Sequence, residues 1–323
     1  MKNLFLALLV GCVLLGAFAA PGSAKTKVIL LDGESGGAYH AWQETTPYLK
    51  RMLDETGLFD VEVITAPQAG GDFANFKPNW KSAKVIVSNY DVPDERWSDE
   101  LKASFEEYIR NGGGLVSVHA ADNAFPKWKE YNLMIGVGGW RGRNEKDGPM
   151  FYWKDGKVME DTWPGNAGAH GARLPFQIVT RVPNHPIMKG LPPVWMHVAD
   201  ELYAKMRGPG QNMTVLATGF SDPANRGTGR DEPILMALTY GKGRIFHTVL
   251  GHDLAALNSV GFIVTYQRGT EWAATGKVTQ KVPKDFPTAD KPATRKEYEP
   301  PAGWTSPGGR PRTGGPKPAA PKP

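Results

Sequence analysis

The stretch Gly112-Gly113-Gly114-Leu115-Val116-Ser117-Val118-His119-Ala120-Ala121-Asp122 decides how this chain is read. Three glycines stop whatever precedes them. A short apolar run follows, broken only by Ser117, and a histidine stands where the run ends. Such a run reads as a strand buried on both faces rather than one with a wet side. Just upstream, residues 98–110 place Leu101, Phe105 and Ile109 on one helical face, with Ser98 as the cap. The unit is therefore helix, tight turn, buried strand, and then a polar turn carrying His119 and Asp122.

Moving outward, the same alternation recurs. Residues 27–32 form an apolar run ending at Gly33, residues 43–55 carry Tyr48, Leu49, Met52 and Leu53 at helical spacing, and residues 59–65 and 84–90 read as further strands. Later strands are expected over residues 214–218, 234–238 and 244–249, with a closing helix over 260–274. Strands alternating with helices predict an α/β fold, a mostly parallel sheet with helices on both faces. Residues 136–172 are Gly-rich, aromatic and aperiodic, too long for an ordinary loop, and are read as an insertion over the site or a small subdomain.

The 323-residue composition, 41% hydrophobic and 22% charged, excludes a collagen, a coiled coil or a wholly disordered chain. The formal charge is +5, but residues 288–323 hold seven Lys or Arg against three Asp or Glu, so the body is near neutral and no nucleic-acid groove is expected. Residues 288–323 are rich in Pro and Gly and are expected to form a basic, disordered tail. Residues 1–24 have Lys2, an apolar run and small residues at the end, the pattern of a secretory signal, which places the mature protein in the periplasm or outside the cell. Residues 25–287 are then the folded domain, with no membrane span expected in the mature chain. The only cysteine, Cys12, lies in the apolar run; its surroundings resemble a lipobox, but the residues after it stay apolar, so simple export ranks above lipidation. A mature chain without Cys12 has no disulfide, no Cys–metal site and no thiolate nucleophile.

Ligands of such sheets bind beyond the carboxyl ends of the strands. His40 follows the first strand, His119 the central one, and His247 and His252 lie in and after the late one. Four of the seven histidines thus gather at one sheet edge. His185 precedes Pro186 and is read as fixing a turn; nothing is assigned to His197.

Several of these stretches carry a resemblance. Gly112 to Ala121, His185-Pro186-Ile187-Met188-Lys189-Gly190-Leu191-Pro192, Asp200-Glu201-Leu202-Tyr203, and Gly241-Lys242-Gly243-Arg244 running to Leu250-Gly251-His252-Asp253 resemble, in order, motifs of the ThuA-like (trehalose utilization) family. His40, and His170 in Gly168-Ala169-His170-Gly171, also stand where that family tends to have histidines. The resemblance implies a flavodoxin-like α/β sandwich of the class I glutamine amidotransferase type. It also implies a role in disaccharide or glycoside catabolism, including routes through 3-keto sugars.

An amidotransferase needs a thiol at the turn after the central strand, and that turn holds His119, so glutaminase chemistry by that route is excluded. Ser117 lies within the strand, not at the turn, and is read as a satisfied core residue. What remains is imidazole acid–base chemistry, in which a carboxylate fixes the tautomer of each ring. His119 and His252 are the expected catalytic pair, oriented by Asp122 and Glu201. His40, Trp42, His170, Asp200 and Asp253 are expected to contact a sugar or glycoside, and sugar rings stack on aromatic faces such as that of Trp42. Of Asp200 and Glu201, adjacent in an extended segment, one faces the site and the other braces a loop. The same imidazoles offer ligands to a divalent metal, although no His-x-His or His-Glu-x-x-His spacing marks one. The alternatives are a non-catalytic carbohydrate-binding module and a metal-assisted glycoside hydrolase or lyase.

Overall fold

The computed structural model describes residues 24–307. The export signal expected over residues 1–24 lies, save for its last residue, outside the described residues, as do Cys12 and residues 308–323 of the tail. The elements run β1 (Thr26–Asp32), α1 (Trp42–Asp54), β2 (Phe59–Thr65), β3 (Val85–Ser88), α2 (Asp99–Arg110), β4 (Gly114–Val118), α3 (Lys129–Ile135), β5 (Met150–Lys154), β6 (Lys157–Asp161), β7 (Leu174–Thr180), β8 (Val194–Asp200), β9 (Met213–Phe220), β10 (Asp231–Tyr240), β11 (Gly243–Thr248), α4 (Leu254–Leu257) and α5 (Val260–Thr275).

The strands join one sheet in the order β2-β1-β3-β4-β11-β10-β9-β7-β8, with the β5–β6 hairpin attached to β10. β2, β1, β3, β4 and β11 run parallel. That is the flavodoxin-like order 2-1-3-4-5, with β11 as its fifth strand, and the α/β class expected from the sequence is present. β10 turns back on β11, and β9, β7 and β8 extend the sheet as an antiparallel wing.

Neighbouring glycines show how the layers close. A Cβ on Gly113 would overlap Tyr108 of α2, and one on Gly114 would meet Ala273 of α5. Successive residues of an extended segment point to opposite faces, so α2 and α5 cover opposite sides of β4. Every residue of α5 from Val260 to Ala273 is buried. At the other end, Ser98 Oγ accepts from the Leu101 N–H and caps α2 as its sequence position suggests. Ser117 is buried in β4, but its hydroxyl has no hydrogen-bond partner among the described residues, contrary to expectation.

The tail is ordered further than its composition suggests. Met196 N–H donates to Thr288 O at 2.7 Å and Val260 N–H to Ala293 O at 3.0 Å. Tyr298 is 0% exposed and its hydroxyl reaches Glu55 Oε2 at 2.5 Å, while Trp304 Nε1 donates to Glu44 Oε2 at 2.8 Å. Residues 288–307 therefore form a strap across the body rather than a disordered extension. Two aromatic anchors supply the buried area that the rest of the segment lacks, and its prolines lower the entropy lost on docking.

Candidate active site

Four chain segments meet above the carboxyl ends of the parallel strands. The loop after β1 brings His40. The turn after β4 brings His119, whose φ of 45° puts a non-glycine residue in the left-handed region. The segment after β8 brings Glu201 and Tyr203, and the turn between β11 and α4 brings His252. His119 is 3% exposed. Its Nδ1–H donates to Val249 O at 2.6 Å, which leaves Nε2 turned into the site as an acceptor.

Around His119 Nε2 lie Tyr203 Oη at 2.8 Å, His40 Nε2 at 3.2 Å and His252 Nδ1 at 3.3 Å. Glu201 Oε2 stands 3.2 Å from His252 Nδ1, and Glu201 Oε1 stands 3.6 Å from His170 Nε2. His40, His119, His252 and Glu201 each present one metal-ligand atom, and these atoms all lie within 4.8 Å of one another. A small, partly open space of about 10 Å³, the room of one water-sized guest, is lined by His40, Trp42, Asp91, His119 and His252 among others.

The electrostatics divide the three rings. Burial, reinforced by the nearby His252, lowers His40 to about 4. Burial and the two neighbouring histidines push His119 well below its ordinary value. Burial would also lower His252, but the Glu201 hydrogen bond and the charges of Glu201, Asp200 and Asp253 outweigh it and raise the ring. Burial would raise Glu201, yet the same partnership holds it below its usual range. Burial keeps the Tyr203 hydroxyl protonated far above its normal value. The site thus offers two imidazoles held neutral by burial, a third imidazole whose protonated form is favoured by the carboxylate beside it, and a phenol that keeps its proton.

His119, His252, Glu201 and His40 come together, and Trp42 lines the adjoining space. His170 reaches Glu201 from the rim, its Nδ1–H donating to Gly171 O at 2.8 Å. Three expectations are corrected. Asp122 does not orient His119; it is fully buried with its Oδ2 3.1 Å from Nε2 of His247, whose Nδ1–H donates to Ile135 O. A carbonyl oxygen, Val249 O, does that work instead. Asp253 is not a sugar contact: its Oδ1 caps α4 by accepting from the Ala255 and Ala256 N–H groups, and its Oδ2 holds Arg173 and Ser306. Asp200 is the bracing member of its pair, accepting from His197 Nε2 at 3.0 Å, Gly251 N at 2.8 Å and His252 N at 3.2 Å.

The insertion over residues 136–172 pairs with the strand-like segment beyond Tyr203. Gly138 and Arg207 exchange backbone hydrogen bonds, as do Ala169 and Ala204. This pairing delivers Trp140, whose ring meets Tyr203 edge-on at 4.5 Å, and His170. Tyr203 and His197 were missed in the sequence. Tyr203 stood in the quoted Asp-Glu-Leu-Tyr element, the one available signal; His197 had none.

A family model described as ThuA, trehalose utilisation, matches residues 27–273. Among solved structures, a ThuA-like protein from Parabacteroides merdae is 44% identical, covering 86% of this chain and 100% of its own, with a TM-score of 0.81. Another from Bacteroides uniformis is 18% identical over 81% of this chain and 98% of its own, with a TM-score of 0.53, a likeness of fold alone. No curated protein matches the chain.

Proposed function

This chain belongs to the ThuA, or trehalose utilisation, family, and from that premise we propose that it is an exported enzyme of carbohydrate catabolism acting on a sugar or keto-glycoside. The observation that carries this reading is the convergence of His40, His119, His252, Glu201 and Tyr203 on one polar point at the carboxyl edge of the parallel strands. A keto group acidifies the neighbouring carbon–hydrogen bond, so a neutral imidazole is a sufficient base. His119, neutral and fixed by Val249, accepts that proton. The His252–Glu201 pair retains one and returns it to the departing glycosidic oxygen. Tyr203 donates a hydrogen bond to the carbonyl oxygen as negative charge builds there.

The space beside these histidines is too small for a sugar, so the ring rests at its mouth. Tyr39 is 49% exposed there beside His40, and Trp42 and Trp140 offer further faces for stacking. Export to the periplasm or beyond would place the enzyme where glycosides arrive first. The test is turnover of a panel of glycosides and 3-keto-glycosides by purified protein. Cleavage or elimination is expected on a keto substrate, with kcat falling about 10²–10⁴-fold in His252→Ala. Saturable sugar binding with no conversion of any member would make the protein a carbohydrate-binding module instead.

A further inference from the structure

Proton transfer leaves the spacing at His119 Nε2 unexplained. With Nδ1 donating to Val249, that nitrogen has a single lone pair in the ring plane. Three groups nevertheless crowd it, Tyr203 Oη at 2.8 Å, His40 Nε2 at 3.2 Å and His252 Nδ1 at 3.3 Å. One lone pair accepts one good hydrogen bond, so the Tyr203 hydroxyl alone would satisfy it. The two further ring nitrogens facing it gain no good hydrogen bond from it, although His252 Nδ1 also has Glu201 Oε2 at 3.2 Å. His40 Nδ1 is buried without a partner among the described residues, so no bond on that edge fixes how its Nε2 is aimed.

The separations fit a different guest. A tetrahedral zinc ion with metal–nitrogen bonds of about 2.0–2.1 Å keeps its ligand atoms about 3.3–3.4 Å apart. His40 Nε2 to His119 Nε2 is 3.2 Å, His119 Nε2 to His252 Nδ1 is 3.3 Å, His252 Nδ1 to Glu201 Oε2 is 3.2 Å, and His119 Nε2 to Glu201 Oε2 is 3.8 Å. We propose that His40 Nε2, His119 Nε2, His252 Nδ1 and Glu201 Oε2 form a binding site for one divalent first-row transition-metal ion, zinc or a close relative.

The donor set selects the class. Three imidazoles and one carboxylate suit zinc and its neighbours, while calcium and magnesium demand mostly oxygen. Groups behind three of the four ligands, His119, His252 and Glu201, are of the kind such a centre uses. Val249 O fixes the tautomer of His119, and Asp200 holds the Gly251 and His252 backbone N–H groups, itself held by His197. Glu201 N–H also donates to Asp200 Oδ1, at 2.8 Å, so one buried carboxylate sets the chain direction at two ligands.

This inference rests on reading the same centre as the reactive one, and it changes the use of the lone pairs. Those of His119 and His252 serve the cation, and proton carriage passes to Tyr203 and His170 at its edge. The experiment is metal content and zinc titration by calorimetry on the purified protein after chelation and dialysis, with no substrate present. One equivalent of zinc is expected per chain, with a rise in melting temperature. His252→Gln and Glu201→Gln should each weaken binding by more than the 10–100-fold that supporting groups typically contribute. His185→Gln, a histidine far from the cluster, should bind as the parent does. Sub-stoichiometric binding by the folded parent, or affinity unchanged in both cluster variants, overturns the proposal. The two readings fail separately. Zinc bound without sugar turnover sinks the enzyme and keeps the metal; turnover by metal-free protein does the reverse.

Discussion

Glu232 shows how a single buried carboxyl writes itself into stability. It is 2% exposed at the start of β10, and burial raises it from 4.5 to about 7 against a 2.6 Å hydrogen bond from Thr228 Oγ1. An acid with a raised folded pKa holds its proton more tightly folded than unfolded. Its contribution is whole below pH 4.5 and is lost as pH climbs through about 7. Glu232→Gln never ionises, so in urea unfolding the variant should match the parent near pH 4.5 and exceed it by about 3 kcal/mol at pH 8. Parallel curves for the two proteins would mean the carboxylate is ionised at no cost where it stands. At this scale the sequence was legible in proportion to local signal. A histidine right after an apolar run announces itself, whereas the partnership of Asp122 with His247 spans 125 positions and leaves no local trace. Proximity in sequence suggested His119 as the partner of Asp122; the left-handed turn at His119 separates them instead.

Helix α5 owes its close seat on the sheet to Gly269. A Cβ there would overlap the ring of Phe246 in β11, and that ring is itself fully buried and has nowhere to move. Alanine in a helix interior is favoured over glycine by about 1 kcal/mol. Overpacking costs about 1–3 kcal/mol, occasionally more, and the close overlap places this site in the upper part of that range. Gly269→Ala should therefore be net destabilising by about 1–2 kcal/mol, seen as a lower midpoint in thermal unfolding. A gain in stability would show that α5 can lift away from β11. The parallel strands and three longer helices were readable because their apolar runs and spacing are strong. β7 and β8 were not: Leu174-Pro175-Phe176-Gln177 carries a proline at its second position and alternates weakly, and β8 buries His197 and Asp200, polar residues that do not mark a buried strand.

Across the whole molecule, the strap ties residues far apart in the chain. Tyr298 packs into the body with its hydroxyl on Glu55, and Trp304 and Ser306 reach Glu44 and Asp253 beside the site. Tyr298→Ala should cost about 3 kcal/mol, the lower end for deleting a buried ring, measured by chemical denaturation. A loss below about 1 kcal/mol would mean the strap only rests on the surface. Composition misled here because Pro and Gly content reports what a segment lacks on average, while two aromatic side chains decide whether it docks.

The sheet order has a consequence for biosynthesis. Among the described residues β11 is the last strand made, yet it lies between β4 and β10 and alone joins the parallel half to the antiparallel wing. Until Gly243–Thr248 leaves the ribosome, the nascent chain consists of two half-sheets with bare edges at β4 and β10. Pairing must then close over long sequence separations, which slows folding and prolongs exposure of those edges. A chain stopped short of β11 would be drawn toward self-association through those two edges.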